Sequence, residues 1–347
     1  MLNLPDWISS WSLNGKLSLL WFVLICGLIV YFSSKLVQNL GVISAKTKIN
    51  DSFLGGAFIA VITSAPELVT EITQASLGNP QTGIADDVGS NAFAIFLIAI
   101  AAIIFVRQMF LNKLKAFTKI SLWMSAGAIF LFTIMLVINH DVVIGFKGTF
   151  AFGLIPLAFF VFWIISLVFA YRSGDSDEIK VNQVKNISVK SASIYFGIFG
   201  TLLVVSAIVL NGVVLSIEQG YSISKNVAGG IFLAISTSLP EIIVFFIMLR
   251  KGYLAGAVLA LVGSQIFNLA IPFFGDLVYV QDATFNVLNV GRVWPLALLT
   301  TIMIILIALQ TTFCKFFKKK RYYLIIPILV VIGYLGGWTM ITLYWGG

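Results

Sequence analysis

The chain is 347 residues long, 59% hydrophobic and only 10% charged, with a mean hydropathy of +1.02. A soluble domain of this length needs far more polar surface, so these values exclude an ordinary globular protein and require a surface that mostly faces lipid. A formal net charge of +8 fits either an anionic membrane or nucleic acid, and the placement of the basic residues has to decide between them.

In chain order, the first sixteen residues, MLNLPDWISSWSLNGK, lack the basic n-region and small-residue cleavage site of a signal peptide. They read as an interfacial lead-in with Trp7 and Trp11 at headgroup level. Apolar runs long enough to cross a hydrocarbon core follow at about 17–34, 53–77, 84–106, 120–139, 149–171, 191–215, 227–249, 253–274, 293–313 and 322–345. Ten spans are therefore predicted. They are taken as helices because backbone in lipid must satisfy its own polar groups, and the alternation of a membrane barrel is absent. The two cysteines, Cys26 and Cys314, allow one pair at most and no metal-type spacing, and the lone His140 lies in a short polar connection. No nucleophile–base or metal-hydrolase constellation is present, so the chain does not read as an enzyme and no cofactor is expected.

Of the 22 lysines and arginines, only Lys16, Lys147, Lys225 and Arg292 fall on the side of the even-numbered connections. The rest, from Lys35 through the 315–321 cluster, lie on the other side. The positive-inside rule then puts both termini on the non-cytoplasmic side of a cell membrane, in a multi-pass protein. It also absorbs the basic charge without invoking nucleic acid. The longest polar stretch, Ser173 to Lys190, reads as a cytoplasmic linker between five spans and five spans. The predicted organisation is a first repeat over 1–172, a linker over 173–190 and a second repeat over 191–347.

The two halves share a block. GGAFIAVITSAPELV from Gly55 and VGSNAF from Val88 match GGIFLAISTSLPEII from Gly229 and VGSQIF from Val262, always 174 residues apart. Thr63 pairs with Thr237, Ser64 with Ser238, Pro66 with Pro240, Glu67 with Glu241, and Ser90 with Ser264. Because each half has an odd number of spans, the second enters the membrane from the opposite side. The predicted fold is thus an all-α polytopic membrane protein of two inverted five-helix repeats. Its second and seventh helices are broken at Pro66 and Pro240, and a substrate site at the repeat interface is expected.

A carboxylate at the bilayer centre costs from about 2.5 kcal/mol upward, so intramembrane Glu67 and Glu241 mark function. Hydroxyls at Thr63, Ser64, Thr237 and Ser238, with carbonyls released by the prolines, complete a hard-oxygen cage suited to calcium or sodium. Small hydroxyl residues also serve helix packing and bond back to their own helix, a competing reading for these four. Ser90 and Ser264 are candidate ligands by their matched spacing. Two glutamates neutralise one divalent ion, and several monovalent ions could replace it. Glu71, one turn beyond Glu67, and Asp86, one turn before Ser90, are read as an external vestibule that concentrates cations, with Asp87 as an inert residue at the water interface.

TSAPE (63–67) with GSN (89–91), and TSLPE (237–241) with GSQIFN (263–268), resemble the two alpha-repeats of the calcium/cation antiporter superfamily, closest to its sodium/calcium exchanger branch. The resemblance spans the whole membrane domain. It implies that Glu67 and Glu241 coordinate calcium with the carbonyls of Thr63 and Thr237. It further implies that Ser64, Ser238, Ser90 and Ser264 help bind sodium, and that the first and sixth spans slide against the rest. Four residues after the second serine the family often offers Asn or Asp; here those positions are Ala94 and Asn268, which makes Asn268 a further ligand candidate. Ile62 and Ser236 replace the usual glycines, and Ala85-Asp86 and Leu259-Ala260 replace a usual Gly-Asn. The Gly-Asn-Ala-x-Glu motif of the proton/calcium branch is absent.

The expected function is a secondary antiporter exchanging calcium for sodium by alternating access. Its partners are the lipid bilayer and the two ions, and the mechanism requires no oligomer. A proton- or potassium-coupled exchanger of calcium or another divalent ion is the alternative on the same fold. A channel would more naturally use rings from several subunits, and a non-transporting scaffold would gain nothing from two buried acids.

Overall fold

The computed structural model describes residues 15–47, 53–78, 80–138, 141–146, 150–173, 187–220, 238–279, 281–288 and 290–345. Its helices are α1 (Gly15–Lys46), α2 (Leu54–Thr63, opening with one π-helical turn), α3 (Ala65–Ser76), α4 (Pro80–Ile104), α5 (Ala116–Ile138), α6 (Leu154–Ser173) and α7 (Val189–Gly220). They continue as α8 (Leu239–Arg250), α9 (Leu254–Val278), α10 (Val290–Thr312), α11 (Lys320–Tyr323) and α12 (Ile325–Trp345). Among the described residues eight helices are long and apolar enough to cross a membrane, or nine if the bent pair α2–α3 is one span. The run predicted over 227–249 is described only from Ser238 onward, and its α8 portion of 12 residues is too short to cross alone.

Two helices form the centre. In α9, 89% of the most apolar window is buried inside the protein, and in α4, 67%, against 22% for α1 and 17% for α6. The reason lies in side-chain size. Gly256, Ala257, Ala260, Gly263 and Ser264 on α9, with Gly83, Ser90, Ala92 and Ala94 on α4, leave little for the backbones to clear, which is how helices approach closely when lipid supplies no hydrophobic drive. A Cβ on Gly263 would run into the Gly56 carbonyl, and one on Gly55 would sit 2.7 Å from the Gly256 carbonyl oxygen. Around α4 and α9 lie α3, α5, α6, α8, α10 and α12. Helix α1 packs mainly against α7, and its outer face of Leu17, Leu20, Val23 and Leu24 is exposed, as a lipid-facing surface must be.

Several boundaries differ from the sequence reading. α1 runs on to Lys46, through residues 35–46 that were expected to be connection; Lys46 ends it, donating from Nζ to the Ile187 carbonyl at 2.7 Å. A cation at a helix C-terminus suits the dipole. Residues 150–153, expected at the start of a span, form instead the second strand of a hairpin, β1 (Val143–Phe146) with β2 (Phe150–Gly153), in register Val143↔Gly153 and Phe146↔Phe150. This hairpin is held by acids: Gly153 N–H donates to Asp276 Oδ2 at 2.6 Å, Thr284 N–H to Asp276 Oδ1 at 2.7 Å, and Ile155 N–H to Asp141 Oδ1 at 3.1 Å. Backbone donors that would otherwise go unpaired beside the bilayer are thereby satisfied.

Candidate functional site

α2 and α3 meet at an angle of 46°, with Ser64 (φ −93°, ψ 10°) between them. Pro66 stands in the first turn of α3 rather than inside a continuous helix, where its missing N–H is harmless to α3 but leaves the Ile62 carbonyl without its usual donor. Pro240 has the same place in α8, after Ser238. Glu67 and Glu241 therefore fall in the first turns of α3 and α8, at helix N-termini that favour a carboxylate.

A serine in that position ordinarily caps its own helix. Neither Ser64 nor Ser238 does. The Ser64 hydroxyl instead crosses to the other half of the chain, donating to Glu241 Oε1 at 3.0 Å and lying 2.6 Å from Ser264 Oγ. Ser264 also donates to Glu241 Oε1. Three oxygens thus form a triangle that holds only two hydroxyl hydrogens. Ser90 donates to Glu67 Oε1 at 3.3 Å. The arrangement is lopsided, since among the described residues Ser238 makes no matching bond to Glu67. Glu67 Oε2, Glu241 Oε2 and Asn268 Oδ1 are buried and, among the described residues, accept no hydrogen bond. All these side chains are at most 5% exposed. Outward-facing lone pairs on carboxylate, amide and hydroxyl oxygens can take a hard cation directly. Among the described residues no three acidic, histidine or cysteine side chains form a metal-holding group, so such a shell must draw on hydroxyls and carbonyls as well.

The structure thus brings Ser64, Ser90, Ser264, Glu67 and Glu241 into two linked clusters, and Asn268 lies one turn after Ser264 on α9. Thr63 is buried at the end of α2, but its hydroxyl turns back to the Ile59 and Ala60 carbonyls at 2.9 and 3.2 Å, so only its carbonyl is open to a ligand role. Thr237 lies outside the described residues. Glu71, read from sequence as lining a vestibule, is 0% exposed, and Asp87, read as an interfacial residue, is 1% exposed. Both are pulled inside because α3, α4 and α9 close on each other at Gly83 and Gly275, which flank the Glu71 carboxylate. Asp86 is half-buried.

One further pair escaped the sequence reading. Asn91 Nδ2 donates to the Gln265 carbonyl at 3.3 Å, and Gln265 Nε2 donates to the Asn91 carbonyl at 3.4 Å. The two residues are 174 apart, the repeat offset itself, and each follows a site serine. A reciprocal bond between equivalent residues is what a two-fold relation between α4 and α9 produces at its axis. Ser125 Oγ supports Gln265 Oε1 at 2.8 Å. Asn91→Ala and Gln265→Ala are each expected to lower the melting midpoint. In a double-mutant cycle they should couple by about 0.5–3 kcal/mol, because they remove one shared interaction.

The sequence profile of the family described as sodium/calcium exchanger protein matches residues 17–172 and 191–345. The chain belongs to that family. Among its relatives is CaxA of Alkalimonas amylolytica, named as an antiporter, which is 24% identical over 316 residues covering 88% of this chain and 94% of that protein. Solved structures of the sodium-calcium exchanger NCX_Mj share its fold. One, soaked with 10 mM Na+ and no Ca2+, matches with a TM-score of 0.66 at 20% identity over 92% of this chain and 97% of that one. Another, soaked with 10 mM Na+ and 10 mM Sr2+, matches with a TM-score of 0.67 at 19% identity over 92% and 96%. This exchanger-family member is accordingly a multi-pass membrane protein of the calcium/cation antiporter superfamily, whose homologues are transporters.

Proposed function

We propose that this chain exchanges calcium for sodium across the cell membrane by alternating access, with Glu67 and Glu241 at one shared midplane cation site. The observation that carries the reading is the bond from Ser64 on the first half to Glu241 on the second. It ties the two glutamate motifs together while, among the described residues, each glutamate keeps one oxygen free of donors. Calcium takes both carboxylates, the Thr63 and Thr237 carbonyls and the Asn268 amide oxygen. Sodium ions take the smaller groups formed with Ser64, Ser90, Ser238 and Ser264. Occupancy by one species excludes the other, which gives exchange without covalent chemistry.

The reading rests on ten spans arranged as two inverted five-helix repeats, 1–172 and 191–347, joined by a cytoplasmic linker over 173–190, with both termini on the non-cytoplasmic side. Asp86, half-buried beside the site, serves as the vestibule acid. One observation favours a second reading, coupling to protons: Ala94 is apolar and Asn268 neutral, so the cage offers only two side-chain charges for its counter-ions.

Uptake of radioactive calcium into proteoliposomes separates the two. An outward sodium gradient should drive uptake and a pH gradient alone should not; the reverse pattern supports proton coupling. Absence of flux under either gradient sinks the exchanger reading.

A further inference from the structure

Beyond the glutamate cage lies a second group of buried acids. Glu71 on α3 and Asp87 on α4 are 0% and 1% exposed, and among the described residues none of their four carboxylate oxygens meets a donor. The Glu71 carboxylate occupies a built cradle: a Cβ on Gly83 of α4 or on Gly275 of α9 would collide with it. Gly83 is one turn from Asp87 on the same face of α4, and Gly275 precedes Asp276. Among the described residues, the charged groups that face Glu71 and Asp87 are all acidic. They are Glu67 from α3, Asp86 from α4 and Asp276 from α9. Helix α7, which also touches α3, carries no charged residue over 191–217.

We propose that Glu71 and Asp87 form a proton-binding station, one helical turn from the glutamate cage, whose proton occupancy sets the pH dependence of exchange.

Three observations favour a proton over a metal ion. Calcium asks for six to eight oxygens, whereas the walls here are the bare backbones of Gly83 and Gly275. The described acids form no metal-holding group. Asp276 has both oxygens engaged by backbone N–H groups and so holds its charge without a cation. A bare charge on Glu71 beside it would be repelled in a low-dielectric setting and would have no solvation. Uptake of one proton from water turns each carboxylate into a neutral carboxyl and removes that penalty. Release of the proton would place new negative charge one turn from Glu67, where it favours a cation in the cage. Protons and transported cations are thereby linked through space, and the link is reciprocal.

The proton site stands on its own geometry; its effect on exchange rests on the function proposed above. The test uses the whole purified chain in lipid, with Glu71→Gln and Asp87→Asn as neutral, nearly isosteric replacements. Infrared spectra in H2O and D2O should show a solvent-exchangeable neutral-carboxyl band in the wild type, diminished in each variant. Calcium flux in the variants should persist but lose part of its dependence on pH. A carboxyl band of equal size in wild type and both variants overturns the proposal, as do flux–pH profiles that superimpose on the wild type. Bound calcium lost from the wild-type stoichiometry in Glu71→Gln would identify a metal site instead, and also overturns it. A wild type without any calcium flux refutes the exchanger reading alone, because the infrared band still decides whether the proton is there.

Discussion

Calcium flux through the reconstituted protein is expected to fall by roughly 100-fold in Glu67→Gln and in Glu241→Gln, with the fold intact. Each substitution removes one unit of charge and one free oxygen, and interactions with an ionised group contribute about 1.5–3 kcal/mol, or up to about two orders of magnitude in affinity. Glutamine keeps the side-chain volume and a carbonyl oxygen, so Ser90 still has an acceptor at position 67, and Ser64 and Ser264 still have one at position 241. The melting midpoint should therefore hold or rise, since a buried charge has been removed. The double variant should be little worse than either single one, because two carboxylates serving one ion act as a unit. Titration calorimetry with calcium separates lost binding from lost movement. Two single variants that each retain wild-type flux and affinity would contradict a shared site.

Gly263→Ala should be the most damaging added methyl group among the described glycines. Its Cβ would strike the carbonyl of Gly56 on α2, with the Gly56 carbonyl carbon and Cα both 2.8 Å away. Backbone cannot rotate aside as a flexible side chain can. Overpacking of this kind costs about 1–3 kcal/mol, which corresponds to a fall in melting midpoint on the order of 5 °C. Function should suffer more than stability. Gly263 precedes Ser264, so displacing α9 from α2 pulls apart the triangle of Ser64, Ser264 and Glu241, and a flux loss of at least about tenfold is expected even where the protein still folds. Gly127→Ala on α5, where a Cβ meets nothing within 4 Å, is the control: flux and melting should stay at wild-type values. Equal behaviour of the two variants would remove the close α2–α9 approach from the mechanism.

Much of the site could be read from spacing. The 174-residue offset singled out Ser64, Glu67, Ser90 and the second-half residues Glu241 and Ser264; in the structure Ser64 bonds Glu241 and Ser264 across the two halves, and Ser90 bonds Glu67 within the first. Asn91 and Gln265 carry the same offset but differ in residue type, so matching by identity passed over them; matching by position would have found them. Asp87 reads as interfacial in the sequence because it follows the turn-type run Gly78-Asn79-Pro80 within two helical turns. In the structure Gly83 and Gly275 draw three helices close enough to bury it.

What the sequence determined by itself is a membrane protein with paired acidic motifs, because long apolar runs have no other stable home and a repeated intramembrane carboxylate is too costly to be idle. Only the tertiary structure decided which partner each serine serves. Ser64 could have capped its own helix, as its position predicts, or bonded the glutamate of its own half. It bonds Glu241 of α8 alongside Ser264 of α9, which the glycine contacts between α9 and α2 bring within hydrogen-bond reach. The hairpin at 143–153 and the burial of Glu71 have the same kind of cause. The hairpin, a local pairing, is anchored by Asp276 more than a hundred residues away, and Glu71 is buried where three helices meet; local pattern carries no record of such contacts.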